Sequence, residues 1–171
     1  AIAEKITRYH RSTARAGIRV RLRWNRAVPG GVEAVAGDYS ANYWEIWHKP
    51  EPSHDYTVGG DVAEGELSDP ADESSPPDYH GGFVLDRVSM EQAAAWRGRS
   101  TPTGRDIDPD IFGAELLKAA TFYNRAWVSP EANSAGIAAV LVIKRANYPR
   151  LYVRQTPAEK LEPAEGDVPV Y

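Results

Sequence analysis

The stretch "YTVGGDVAEG", residues 56–65, places an apolar run and two glycines before an aspartate, Asp61, then closes on Glu64 and Gly65. A run of this kind reads as a buried strand whose last residue is a carboxylate. An ionised Asp in apolar surroundings is costly unless something pairs with it. Three partners answer that need: a metal ion, a basic side chain, or a turn whose backbone amides the carboxylate caps.

Downstream of Asp61, "EGELSDPADESSPPD" (64–78) has the Ser, Pro and acidic content of a loop, and "GGFVLDRVS" (81–89) resumes as a strand. "MEQAAAWRG" (90–98) suits a helix by its alanines, or a third antiparallel strand by its length. Residues 108–124 give a clear helix signal, with Asp108 at the N-cap and Pro109 at the first helical position. Its apolar face is Phe112, Leu116, Ala119, Ala120 and Tyr123. "AWVSPE" (126–131) is a short strand ending in an acid, Glu131. "SAGIAAVLVIKRAN" (134–147) reads as a second helix with Ile137, Val140, Leu141 and Lys144 on one side, and "RLYVRQ" (150–155) as a last strand. The tail from Thr156 lacks periodicity.

Upstream, "GIRVRLRW" (17–24) alternates strictly, with Ile18, Val20, Leu22 and Trp24 on one face and Arg19, Arg21 and Arg23 on the other. "AVPGGVEA" (27–34) reads as a turn, and "NYWEIWHKP" (42–50) as the hairpin partner. Residues 3–16 suit a short polar helix. The fold class expected is therefore α/β: a mixed sheet of order β-β-β-α-β-α-β from residue 55, flanked by helices, with an N-terminal β-hairpin addition. The expected division is 1–50 for the N-terminal helix, linker and hairpin, and 51–171 for the core.

The 171 residues suffice for one domain with a real core, and 42% hydrophobic with 26% charged residues is ordinary for a globular chain. The absence of cysteine excludes disulfides, thiolate metal sites and a cysteine nucleophile. No run approaches the roughly 20 apolar residues of a membrane span, so no membrane partner is expected. No phosphate-binding G-x-x-x-x-G-K-[ST] loop occurs, so this piece is not expected to bind nucleotide. Charge is segregated. Residues 1–26 carry eight basic side chains and one acid, whereas residues 51–78 carry nine acids and no Lys or Arg. The basic end suits a phosphate surface or a solvated face; the other concentrates carboxylates.

If the strand ending at Asp61 and the strand ending at Glu131 pair in parallel, both acids emerge at one carboxyl edge of the sheet, about 5 Å apart. Two such acids repel unless a cation lies between them, and hard cations take oxygen ligands. Each also has a purely structural reading, Asp61 capping a turn and Glu131 capping the helix near Ser134. The four histidines share no ligand-like spacing, and the five tryptophans read mainly as packing.

Three motifs, in order, resemble the nuclease domain of the large terminase subunit of tailed bacteriophages: Asp61-Val62-Ala63-Glu64-Gly65, then Asp78-Tyr79 before "GGFVLD", then Pro130-Glu131 with Asn133 and Gly136. "YWEIWHKPEP" (43–52) is similar to that family's lead-in strand. The resemblance implies a ribonuclease H-like fold and an endonuclease cutting double-stranded concatemeric viral DNA. It implies Asp61 and Glu131 as metal ligands, Asp78 as a further acid, and two Mg²⁺ or Mn²⁺ ions. It also implies the portal and small terminase subunit as partners of the parent protein, in the host cytoplasm. Residues 64–78 are longer than the family's usual turn, so Asp69 and Asp72 compete with Asp78. The family's further aspartate on a last helix has no counterpart before Tyr171; Asp167 lies in a different context. An ATPase part is expected to precede Ala1. Two rival readings are a nuclease-inactive docking module of the packaging motor and a resolvase- or transposase-type nuclease. A sugar-kinase or actin-like domain is disfavoured by the lack of a Ser/Thr-rich hairpin after Asp61.

Overall fold

A computed structural model describes residues 16–63, 79–98, 108–132 and 134–152. It contains seven strands: β1 (Ile18–Trp24), β2 (Val32–Ala36), β3 (Tyr43–Ile46), β4 (Tyr56–Asp61), β5 (His80–Asp86), β6 (Gln92–Gly98) and β7 (Trp127–Pro130). Among the described residues two helices accompany them, α1 (Pro109–Phe122) and α2 (Gly136–Arg145). All seven strands join one sheet in the order β2-β1-β3-β6-β5-β4-β7. β4, β5 and β6 form the antiparallel meander, and β7 returns through α1 to lie parallel to β4. After α2 the chain comes back beside β7 through a parallel bridge between Val128 and Leu151. From residue 55 the described elements run β-β-β-α-β-α in the mixed α/β order expected, the bridge at Leu151 is the described part of the expected last strand, and "MEQAAAWRG" resolves as strand. The proposed helix over 3–16 and the end of the 150–155 strand fall largely outside the described residues.

One reading of the sequence requires correction. "AVPGGVEA" is only half a turn: Gly30 and Gly31 take φ of 82° and 78°, which glycine accepts without penalty, and Val32 then begins β2. β2 is the hairpin partner of β1, and "YWEI" lies on the other edge of β1 and pairs onward with β6. Strands β1–β3 therefore continue the core sheet. α2 buries Gly136, Ala139 and Ile143, while Ile137 and Leu141 are 54% and 42% exposed. Small residues explain this choice. A Cβ on Gly113 of α1 would lie 2.7 Å from Ala139 Cα, so the helices meet where both are slim.

The α1 face is as the spacing requires, since Phe112, Leu116, Ala119, Ala120 and Tyr123 are all fully buried. Asp108 holds the N-cap position ahead of Pro109, but its side chain makes no capping bond. This helix covers one side of the sheet, where Val20, Leu22, Trp44, Ile46, Val58, Val84, Trp96 and Val128 form the core. The alternate residues of the same strands face the other way. Register fixes that second face as a continuous row: Ser129, Gly59, Phe83, Ala95, Glu45 and Arg19 are successive partners across β7, β4, β5, β6, β3 and β1. None of those six is buried except Gly59, so this face of the sheet is open.

Candidate active site at the carboxyl edge of the sheet

β4 is built to deliver its last residue. Tyr56 packs its ring on Tyr123 at a centroid distance of 5.1 Å, and Val58 is fully buried. Gly60 is the close-approach point: a Cβ there would overlap Leu116 Cδ1 and come within 3.2 Å of Phe112 Cε1. Gly59 faces the other way, under the Phe83 ring. Asp61, one residue on, is exposed. The desolvation cost inferred from its apolar neighbours is therefore relieved by solvent.

β7 reaches the same edge. Thr57 to Gly60 pair in parallel with Trp127 to Pro130, and the Glu131 amide continues the ladder by donating to the Gly60 carbonyl at 2.7 Å. Asp61 and Glu131 thus follow paired residues on adjacent strands, about 5 Å apart at the backbone, and both are exposed. They border an open cleft of about 410 Å³, floored by Thr57, Gly59 and Ser129 and walled by Phe83. Asp78, Asp69, Asp72, Asn133 and Asp167 lie outside the described residues.

One positioning residue escaped the sequence reading. His80 is buried, its ring stacks on Phe112 at 5.0 Å, and its Nδ1 accepts the Ala63 amide at 3.0 Å. That bond, which assigns the proton of a neutral ring to Nε2, ties down the chain two residues beyond Asp61. No spacing signal announces it, because the partner is a backbone amide. A buried carboxylate lies at the opposite end of β5. Asp86 takes a 2.6 Å bond from His54 Nδ1 and the Val88 and Ser89 amides. Burial pushes the Asp86 carboxyl up, but these donors outweigh it and hold it below its usual range. The same bond raises His54 above the ordinary histidine value. Asn124 donates to the Glu51 and His54 carbonyls, and Asp55 joins Arg87 and Arg150. This cluster fastens the start of β4, some five residues or roughly 17 Å from Asp61.

The donor set at the edge consists of two carboxylates, hard oxygen ligands. Mg²⁺ is commonly held by one or two carboxylates and keeps several waters, so the pair fits one such ion. Among the described residues no three His, Asp or Glu side chains gather into a metal-binding group. Nor is any described helix long and apolar enough to cross a membrane.

No protein-family model matches the sequence, and no curated protein does. Similar solved structures are those of the large terminase nuclease from thermophilic phage G20c. With bound magnesium it aligns over 69% of this chain and 55% of its own, at a TM-score of 0.48 and 16% identity. With bound zinc the figures are 69%, 60%, 0.46 and 19%, and for a third structure of the same nuclease 69%, 55%, 0.47 and 17%. The chain spans 55–60% of the length of these nucleases.

Proposed function

We propose that this chain is the metal-dependent endonuclease part of a phage DNA-packaging terminase, acting on double-stranded, concatemeric viral DNA. The observation that carries the reading is the juxtaposition of Asp61 and Glu131 on parallel strands at one open edge, each inside the motif that suggested its role. Asp61 and Glu131 are the residues that would hold Mg²⁺ or Mn²⁺, with Asp78 a candidate third acid. A divalent cation bound there supplies Lewis acidity and a water of lowered pKa, and a pair of ions about 3.5–4 Å apart would also steady the leaving oxygen.

The chain's own residues supply the geometry. The Gly60 carbonyl holds the Glu131 amide, so the two carboxylates move as one unit. His80 fixes the backbone just after Asp61. Gly59 keeps the floor of the cleft low, beside Thr57, Ser129 and Phe83. In the full-length protein the portal and small terminase subunit would be its partners.

The test is Mn²⁺ binding followed by loss of the free-ion EPR signal. The parent should bind, and Asp61→Asn and Glu131→Gln should each bind at least about tenfold more weakly. A parent that leaves Mn²⁺ free would overturn the metal site. It would favour the second reading, a nuclease-inactive docking module, for which the lack of a three-acid group among the described residues speaks.

A further inference from the structure

We propose that Arg19, Arg21 and Arg23 of β1 form a phosphate-binding stripe on the same sheet face as Asp61 and Glu131, so that one DNA duplex lies across both. The inference rests on the nuclease reading and adds to it the surface that holds the substrate.

Register carries the placement. Arg19 pairs with Glu45, Glu45 with Ala95, Ala95 with Phe83, and Phe83 with Gly59. Paired residues project to the same side, and residues two apart share a face. Asp61 therefore shares its face with Arg19, Arg21 and Arg23, and all four are exposed. No sequence motif links them, since four strand-to-strand steps intervene. At about 4.8 Å per step those steps span roughly 19 Å. A duplex carries one charge per roughly 1.7 Å of axis, so that span holds about 11 phosphates. Along β1 successive arginines stand roughly 6.8 Å apart.

Two of the arginines are held by aromatic rings. The Arg19 guanidinium lies 5.0 Å from the Tyr43 ring centre and donates to the Tyr39 carbonyl, while that of Arg21 lies 4.5 Å from the Tyr39 ring centre. Ring stacking leaves the in-plane N–H donors available to phosphate oxygens. Two acids stand opposite in register, Glu45 beside Arg19 and Glu33 beside Arg23, and their carboxylates bond the Gly17 amide and the Asn25 side chain rather than a guanidinium. Among the described residues none of the three arginines forms an ion pair. Three arginines against two acids leave the stripe net positive, and a polyanion complements that charge. In the sequence, Lys5, Arg8, Arg11 and Arg15 precede the stripe with Glu4 as the one acid among them, so the same chain end is basic throughout. Duplex DNA is preferred to an acidic protein because the stripe shares its face with a candidate phosphodiester-cutting edge.

The experiment measures binding of the whole chain to a labelled 30-base-pair duplex by fluorescence anisotropy, in EDTA, from 50 to 300 mM KCl. The parent should bind with a steep salt dependence. Arg19→Gln/Arg21→Gln/Arg23→Gln should weaken binding on the order of tenfold and lower the slope of log K against log salt by about 2.7, at about 0.9 per phosphate contact. Because Arg19 also bonds Tyr39, Arg21→Gln/Arg23→Gln serves as a second variant with an expected loss of about 1.8. The triple Arg→Lys variant should keep the slope. Unchanged slope and affinity in both Gln variants overturn the stripe and leave the nuclease reading standing. A parent that fails to bind the duplex at 50 mM KCl overturns both. An arginine-dependent response to heparin without one to duplex overturns DNA as the occupant.

Discussion

Gly60→Ala is the substitution that most sharply separates packing from chance at the edge. The added methyl would run into Leu116 Cδ1 and press Phe112 Cε1 at 3.2 Å, and both side chains are fully buried under α1. Neither has solvent to move into, so overpacking should cost about 1–3 kcal/mol. For a chain of this size each kcal/mol lowers the melting midpoint by about 2–4 °C, so a fall of roughly 2–12 °C is expected. Gly59→Ala, one residue away, is the control. Its methyl meets the Phe83 ring, which is 46% exposed and free to swing outward. That variant should stay within about 0.5 kcal/mol of the parent. Trimming the obstacle should rescue the first: Gly60→Ala with Leu116→Ala should be more stable than the sum of the singles by about 0.5–3 kcal/mol. Differential scanning calorimetry on the five proteins, Leu116→Ala alone included, decides it. Equal midpoints for parent and Gly60→Ala, or equal damage from Gly59→Ala, would refute the reasoning.

Two further outcomes follow from the other end of β4 and from α1. His54 is raised above its ordinary value near 6.5, first by its hydrogen bond to Asp86, against partial burial, with the charges of Asp86 and Glu51 adding. Its contribution is complete below pH 6.5 and is lost as pH rises through the raised value. That of Asp86, complete above its ordinary 3.8, is lost as pH falls through its lowered value. The melting midpoint should therefore fall between pH 6 and pH 9 in the parent and fall less in His54→Gln; a flat or rising parent profile would contradict the pair. Tyr123→Phe removes the hydroxyl that donates to the His48 carbonyl at 2.8 Å, and should cost about 0.5–1.5 kcal/mol by urea unfolding. No change would mean that the carbonyl finds water instead.

What the sequence discloses here follows the range of the interactions. The strand ending at Asp61, the apolar face of α1 and the meander after it are written in local periodicity and capping. The parallel pairing of the Asp61 and Glu131 strands is also foreseeable, because a β-α-β connection allows little else. β2 escapes notice because five residues after Pro29-Gly30-Gly31 are too few to show a period. The buried face of α2 is not marked by its large apolar residues because Gly113 and Ala139 allow closer packing than Ile137 and Leu141 permit, and that choice lies in the partner helix. The role of His80 depends on a backbone amide 17 residues away. The shared face of the β1 arginines and the edge acids needs four registers at once, which no single stretch encodes.

The most direct measurement of the central claim is nicking of supercoiled plasmid in Mn²⁺ by the parent, Asp61→Asn and Glu131→Gln, each with a chelator control. The account predicts that the parent converts the plasmid to open-circular and linear forms, that chelator abolishes this, and that each substitution slows it by about 100-fold or more. Cleavage that persists in Asp61→Asn or in chelator, or a parent that leaves the plasmid supercoiled, would contradict it.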